Sequence, residues 1–178
     1  MAAELTGTRL TLDDGRPAVR FRRTYDHSAD QVWRFVTDPG ELARWFPSRA
    51  EMELRPGGTI RFSGDPNMPA STGRVIAVDP PRHLSFEWGG DELRLDVEDV
   101  GDGRTGLTLT DVLAAEDTAA RNAAGWEVCL TALDARASGA GGEGPGGPHA
   151  GPGVLWKDFY DGYVEAGFPS GAPVPGLD

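Results

Sequence analysis

A single cysteine, Cys129, stands among 178 residues. No internal disulfide can therefore staple the chain, and a reducing compartment suits it. No apolar run approaches the roughly 20 residues that a membrane helix needs. The opening stretch MAAELTGTRL has no basic segment followed by an apolar one, the pattern of a secretory leader. Basic residues are outnumbered, 17 against 28 acidic ones, and the net charge of −11 repels phosphate backbones. Arg20, Arg22 and Arg23 cluster, but alternate strand residues face opposite ways, so they form no basic patch. Nucleic-acid and membrane partners are not expected, and the expected location is cytoplasmic.

Catalytic signatures are missing too. His27, His83 and His149 lie far apart and form no metal-ligand cluster. The chain carries no G-x-S-x-G elbow, P-loop or dinucleotide fingerprint. Residues 142–153 are glycine-rich, but no strand precedes them and no Lys-Ser/Thr follows, so they cannot be read as a phosphate cradle. Neither a metal nor a cofactor is expected, and no residue is nominated as catalytic.

What the chain does have is alternation. Arg9 to Leu12 and Ala18 to Tyr25 read as a hairpin across Asp13-Asp14-Gly15-Arg16. Ser28, followed by Gln31, predicts a helix N-terminus, and Val32, Trp33, Phe35 and Val36 give its apolar stripe. Asp38-Pro39 ends that helix, and a short second one is predicted from Gly40 to Trp45. Six strand-like runs follow: Ala50–Leu54, Thr59–Ser63, Gly73–Val78, His83–Trp88, Glu92–Val100 and Gly106–Leu113. Leu84, Phe86 and Trp88 alternate with His83, Ser85 and Glu87, so one face meets a core and the other meets water, as in an antiparallel meander.

A twisted sheet must cover its apolar face. Thr118 to Ser138 supplies the cover: it lacks proline and places Trp126, Cys129, Leu130, Leu133 and Ala137 on one helical face, with Gly139 as the residue past its end. The chain then divides as follows. Residues 1–138 form one α+β domain that includes the N-terminal hairpin. Residues 139–153 are a Gly/Pro-rich linker. Residues 154–168 are a helical extension, and residues 169–178 a tail. Trp156, Phe159, Tyr160 and Tyr163 are too apolar for water as a set and are expected to dock on the domain or on a second copy of it, which leaves a homodimer open.

The element order and several local motifs carry a resemblance. The motifs are Ala29-Asp30-Gln31-Val32-Trp33, Thr37-Asp38-Pro39, Leu42-Ala43-Arg44-Trp45-Phe46, Pro56-Gly57-Gly58, Gly73-Arg74-Val75, Asp79-Pro80-Pro81-Arg82-His83-Leu84, Phe86 with Trp88, Gly106-Leu107-Thr108-Leu109-Thr110, and Gly125-Trp126 with Leu130 and Leu133. Over roughly residues 18–138 the chain resembles the bacterial branch of the heat-shock protein 90 ATPase activator homologue family, within the SRPBCC (START-like) superfamily. The resemblance implies a helix-grip fold, like that of the birch pollen allergen: a curved antiparallel sheet around a long C-terminal helix, with two short helices after the first strands. It also implies a chaperone as a partner. Regulation by the eukaryotic members involves an additional N-terminal domain with no counterpart in these residues, so the resemblance supports the domain more than that role.

A grip fold gathers aromatics around an internal space. The residues expected to wall a ligand cavity are Trp45, Phe46, Phe62, Phe86, Trp88, Leu95, Leu109, Asp111, Trp126 and Leu130. Asp111 shares a face with Leu107 and Leu109 by period two, where it would be a ligand anchor or proton-transfer group. The blander alternative puts it at the strand end, in water. Cys129 reads as a small buried hydrophobe rather than a nucleophile. The expected function is binding of a small apolar or amphipathic molecule without catalysis. The alternatives are a chaperone-regulating interaction domain and a cyclase or dehydratase of the polyketide type.

Overall fold

The structure is a computed structural model and describes residues 4–65, 69–139 and 154–174. Apart from Gly139, the expected linker lies outside the described residues. Eight strands form one antiparallel sheet: β1 (Thr8–Thr11), β2 (Pro17–Tyr25), β3 (Arg49–Met52), β4 (Thr59–Ser63), β5 (Ser71–Asp79), β6 (His83–Trp88), β7 (Asp91–Gly101) and β8 (Arg104–Val112), in the order β1-β2-β8-β7-β6-β5-β4-β3. Strands β3 to β8 are a meander, and the β1–β2 hairpin returns to pair with β8. The predicted strands agree with these to within two residues at each end. The sheet curves around the long helix, as a helix-grip fold requires.

Local chemistry sets the helices. Helix α1 (Ala29–Thr37) begins at Ser28, whose hydroxyl accepts from Gln31 N–H. Asp38 ends α1 and caps α2 (Pro39–Trp45), accepting from Gly40 and Glu41 N–H groups. Proline at the first position of α2 has no N–H to leave unsatisfied, so α2 starts at Pro39 and not at Gly40. Helix α3 (Ala119–Ala137) ends where Gly139 takes φ +88°, a left-handed conformation that glycine adopts freely.

The core lies between the concave face of the sheet and α3. Val19 and Phe21 of β2, Leu107 and Leu109 of β8, Leu93 and Leu95 of β7, Leu84 and Phe86 of β6 and Ile60 and Phe62 of β4 all point inward and are buried. Leu130 and Leu133 meet them from α3. Trp45 is fully buried, and its indole N–H donates to Phe35 C=O at 2.8 Å, which satisfies the one polar atom burial would otherwise strand. Arg136, near the end of α3, holds Glu41 through two hydrogen bonds of 2.9 and 2.8 Å and so ties α3 to α2.

Helix α4 (Val154–Glu165) packs on the back of α3. Tyr163 is 0% exposed and Phe159 is buried, so the extension docks on its own domain. The Tyr163 hydroxyl donates to Glu127 on α3 (2.8 Å) and accepts from Gly7 N–H (2.8 Å). Thr6 N–H also donates to Glu127, at 2.9 Å. The segment after α4 runs back along the start of α3. Ala120 N–H donates to Pro169 C=O, and Arg121 Nη1 donates to Pro173 C=O, both at 3.0 Å.

Candidate functional site

The expected gap between sheet and α3 is not empty. Phe46 projects into it from the residue after α2 and contacts rings on every side: Phe62 and Phe86 at 6.2 Å, Trp88 at 6.0 Å and Trp126 at 5.8 Å between centroids. Pro47 follows directly, so the chain cannot continue α2 and instead turns the ring inward. Trp45, Phe46, Phe62, Phe86, Leu95, Leu109 and Leu130 are thereby packed core with 4% exposure or less, and none of them lines the main cavity. Trp88 faces Trp126 across a centroid distance of 5.2 Å, as the inward face of its strand requires.

The cavity lies beyond this aromatic plug, at the N-terminal end of α3. It has a volume of about 480 Å³. Trp88, Trp126 and Trp156 bring their rings to it, Asp91 and Asn122 its polar wall, and Arg121 and Val174 its rim. Of the ten residues expected to wall a cavity, Trp88 and Trp126 line this one, and Asp111 sits directly behind its polar wall.

Asp111 is 0% exposed, which overturns the solvated strand end. It pairs with Leu93 on β7 and projects toward α3. Its Oδ2 accepts from the Trp126 indole N–H at 2.9 Å and from Asn122 Nδ2 at 3.2 Å. Its Oδ1 is buried without a hydrogen-bond partner. Asp91, two residues before Leu93 and so on the same face, is 8% exposed. Its Oδ1 accepts from Ala114 N–H (2.9 Å) and its Oδ2 from Asn122 Nδ2 (3.0 Å). One amide thus bridges two carboxylates. Arg121 Nε donates to Asn122 Oδ1 at 3.1 Å and fixes which way that amide points.

Burial, and after it the neighbouring Asp91 carboxylate, pushes the Asp111 carboxyl well above the usual carboxylate range; donation from Trp126 and Asn122 opposes this and loses. Asp111 therefore holds its proton at pH values where a solvated aspartate has lost it. A desolvated carboxyl with a second acid beside it is an arrangement by which proteins keep a carboxyl neutral. Elsewhere, burial pushes the Cys129 thiol up, so it is no nucleophile. Among the described residues no group of three or more His, Cys, Asp or Glu side chains could hold a metal ion. No helix among them is long and apolar enough to cross a membrane.

Sequence reasoning missed Asp91, Arg121, Asn122, Trp156 and Val174 as cavity residues. Two of these left a signal. Asp91 continues the alternation of Leu93 and Leu95 backward by one step, past the predicted strand start at Glu92. Asn122 precedes Trp126 by four residues and so lies on its helical face.

The profile of a family described as "Activator of Hsp90 ATPase homolog 1-like protein" matches residues 26–138. No curated protein matches the chain. Among solved structures, the solution structure of CalU16 from Micromonospora echinospora is 27% identical, covers 93% of this chain and 93% of its own, and has a TM-score of 0.70. EF2215 from Enterococcus faecalis, a conserved protein of unknown function, is 21% identical, with a TM-score of 0.68 over 90% of this chain and 89% of its own. DynU16, from the dynemicin biosynthetic locus, is 23% identical, with a TM-score of 0.59 over 71% of this chain and 50% of its own. At such identities the latter two speak for the fold alone. The matched segment runs from just before α1 to the C-cap of α3, spanning most of the sheet and the helix it grips, and on that match the chain belongs to the Activator of Hsp90 ATPase homolog 1-like family of START-like, helix-grip proteins.

Proposed function

We propose that this protein binds a small amphipathic molecule in the cavity at the N-terminal end of α3, with the molecule's apolar body against the tryptophans and its polar end on the Asp91–Asn122 wall. The observation that carries the reading is the composition of that wall. A volume of about 480 Å³ falls within the ordinary range of small-molecule sites, and such sites combine apolar surfaces with a few placed polar groups. Trp88 and Trp126 are held by the Phe46 plug, and the polar groups are held by one another, so little order has to be gained on binding. The family match concerns the domain, and a cytoplasmic location is part of the same proposal.

The test is ligand-dependent stabilisation. Fatty acids, sterols and aromatic polyketides are screened by tryptophan fluorescence and thermal unfolding. A ligand that binds only the folded state at a hundred times its Kd adds about 2.7 kcal/mol. Absence of any stabilising ligand in such a screen, together with capture of the cell's heat-shock protein 90 homologue, would transfer the function to protein binding. A second reading, acid–base chemistry on the bound molecule, is favoured by the carboxyl pair alone, and turnover of a ligand found in the screen would establish it.

A further inference from the structure

The polar wall of the cavity is short of donors. Asp91 borders the cavity, and its two oxygens accept from Ala114 N–H and the Asn122 amide, while the acid proton of Asp111 is fully buried behind it. A ligand acceptor or anion placed there would face oxygens; a ligand donor would find them open. The three rings lining the same space are all indoles, whose faces attract cations more strongly than any other side-chain ring. Of the charged side chains that line the cavity, Asp65 and Asp91 are acidic and Arg121 is basic. Arg121 is committed to Asn122 Oδ1 and to Pro173 C=O in the segment after α4. The net charge of −11 further concentrates cations at the surface.

We propose that the cavity takes a hydrophobic organic cation, an amine-bearing aromatic molecule whose rings lie among Trp88, Trp126 and Trp156 and whose ammonium sits against Asp91, with Asp111 behind it. This deepens the ligand-binding reading and rests on it. Asp91 is the binding group, because it borders the cavity while Asp111 does not. Asp111 is a positioning residue: it holds the Asn122 amide and the Trp126 ring in place through Oδ2.

The experiment uses three probes with one ring system: 2-naphthylmethylamine, 2-naphthalenemethanol and 2-naphthoate, titrated into the full chain by calorimetry near neutral pH. The amine should bind about tenfold tighter than the alcohol or better, as expected for a desolvated cation on aromatic faces and a carboxylate, and the acid should bind most weakly. Asp91→Asn should bring the amine to the affinity of the alcohol. Asp96→Asn, which removes the same charge from the exposed face of β7 beside His83, should leave the amine preference intact. Each preference is a ratio within one protein, so a variant that is merely less stable does not imitate the effect. Equal binding of amine and alcohol by the wild-type chain overturns the cation while leaving a cavity that binds ligands. A tighter acid also overturns it and assigns the polar end to Arg121. Binding of none of the three overturns the cavity reading and the cation together.

Discussion

Replacing Asp111 with asparagine tests the carboxyl pair through stability rather than ligand binding. Asparagine keeps the shape, the two acceptor bonds and a donor for Asp91, but it cannot ionise. The wild-type acid is buried completely, and burial with Asp91 beside it raises its affinity for the proton in the fold. Asp91 faces it from β7, Asn122 and Trp126 from α3, and Asp65 and Arg121 are the other charged groups of the cavity. In the unfolded chain the same acid loses its proton near pH 3.9, about the value of a free aspartate. From there upward, the native state keeps a proton that the unfolded state releases. The stability Asp111 contributes is therefore fully present at low pH and is lost as pH rises toward its folded pKa, at about 1.4 kcal/mol per pH unit for one proton. The variant lacks this slope. Urea unfolding at half-unit steps from pH 4.5 to 7.5 should show the two proteins closest at the acid end. The difference should then widen in favour of Asp111→Asn by about 1 kcal/mol or more per unit until the acid ionises in the fold. Taking the difference cancels titrations common to both proteins. A difference that stays flat would mean that Asp111 is already ionised in the fold, and the account of a shared, proton-holding wall would be wrong.

Other substitutions separate the cavity from the core. Trp88→Ala should weaken ligand binding at a modest stability cost, because Trp88 is half-buried, whereas Trp126→Ala, at 1% exposure, should cost about 3–5 kcal/mol in chemical denaturation. Tyr163→Phe strands Gly7 N–H and takes a donor from buried Glu127, so thermal unfolding should register a loss of about 1–3 kcal/mol. Gly58→Ala would place a methyl 2.1 Å from Glu53 C=O, a backbone atom that cannot step aside, and should destabilise the β4 entry by about 1–3 kcal/mol in the same assay.

Much of the fold can be read from the sequence because its signals are local. The alternation in β6, the Ser28 and Asp38 caps and the Gly139 terminus each depend on a few neighbouring residues. The site is less legible because it depends on which side chain fills which space. Phe46 reads as a cavity wall until its position after α2 is known; it is then the plug that moves the cavity toward the start of α3. Glu127 lies on the face of α3 away from the sheet and should be solvated by any single-helix argument. It is buried because α4 and the N-terminal segment cover that face, through Tyr163, Thr6 and Gly7. Asp111 could be placed on the right face by periodicity alone, but its burial follows from Trp126 and Asn122 closing over it from a helix that begins eight residues later.

Trp156 and Val174 lie beyond the segment that matches the family, yet they form one side of the cavity. The carboxyl wall and two of the three indoles belong to the shared scaffold; the third indole and the edge beside it are carried by an appended part that touches the scaffold through α3 and a few backbone bonds. Such a part can be exchanged. A chimera joining residues 4–138 to the extension of another protein of the same fold would keep the acids and the plug while receiving a new outer wall: its preference for an amine should stay, and its preference among ring systems should follow the donor of the extension.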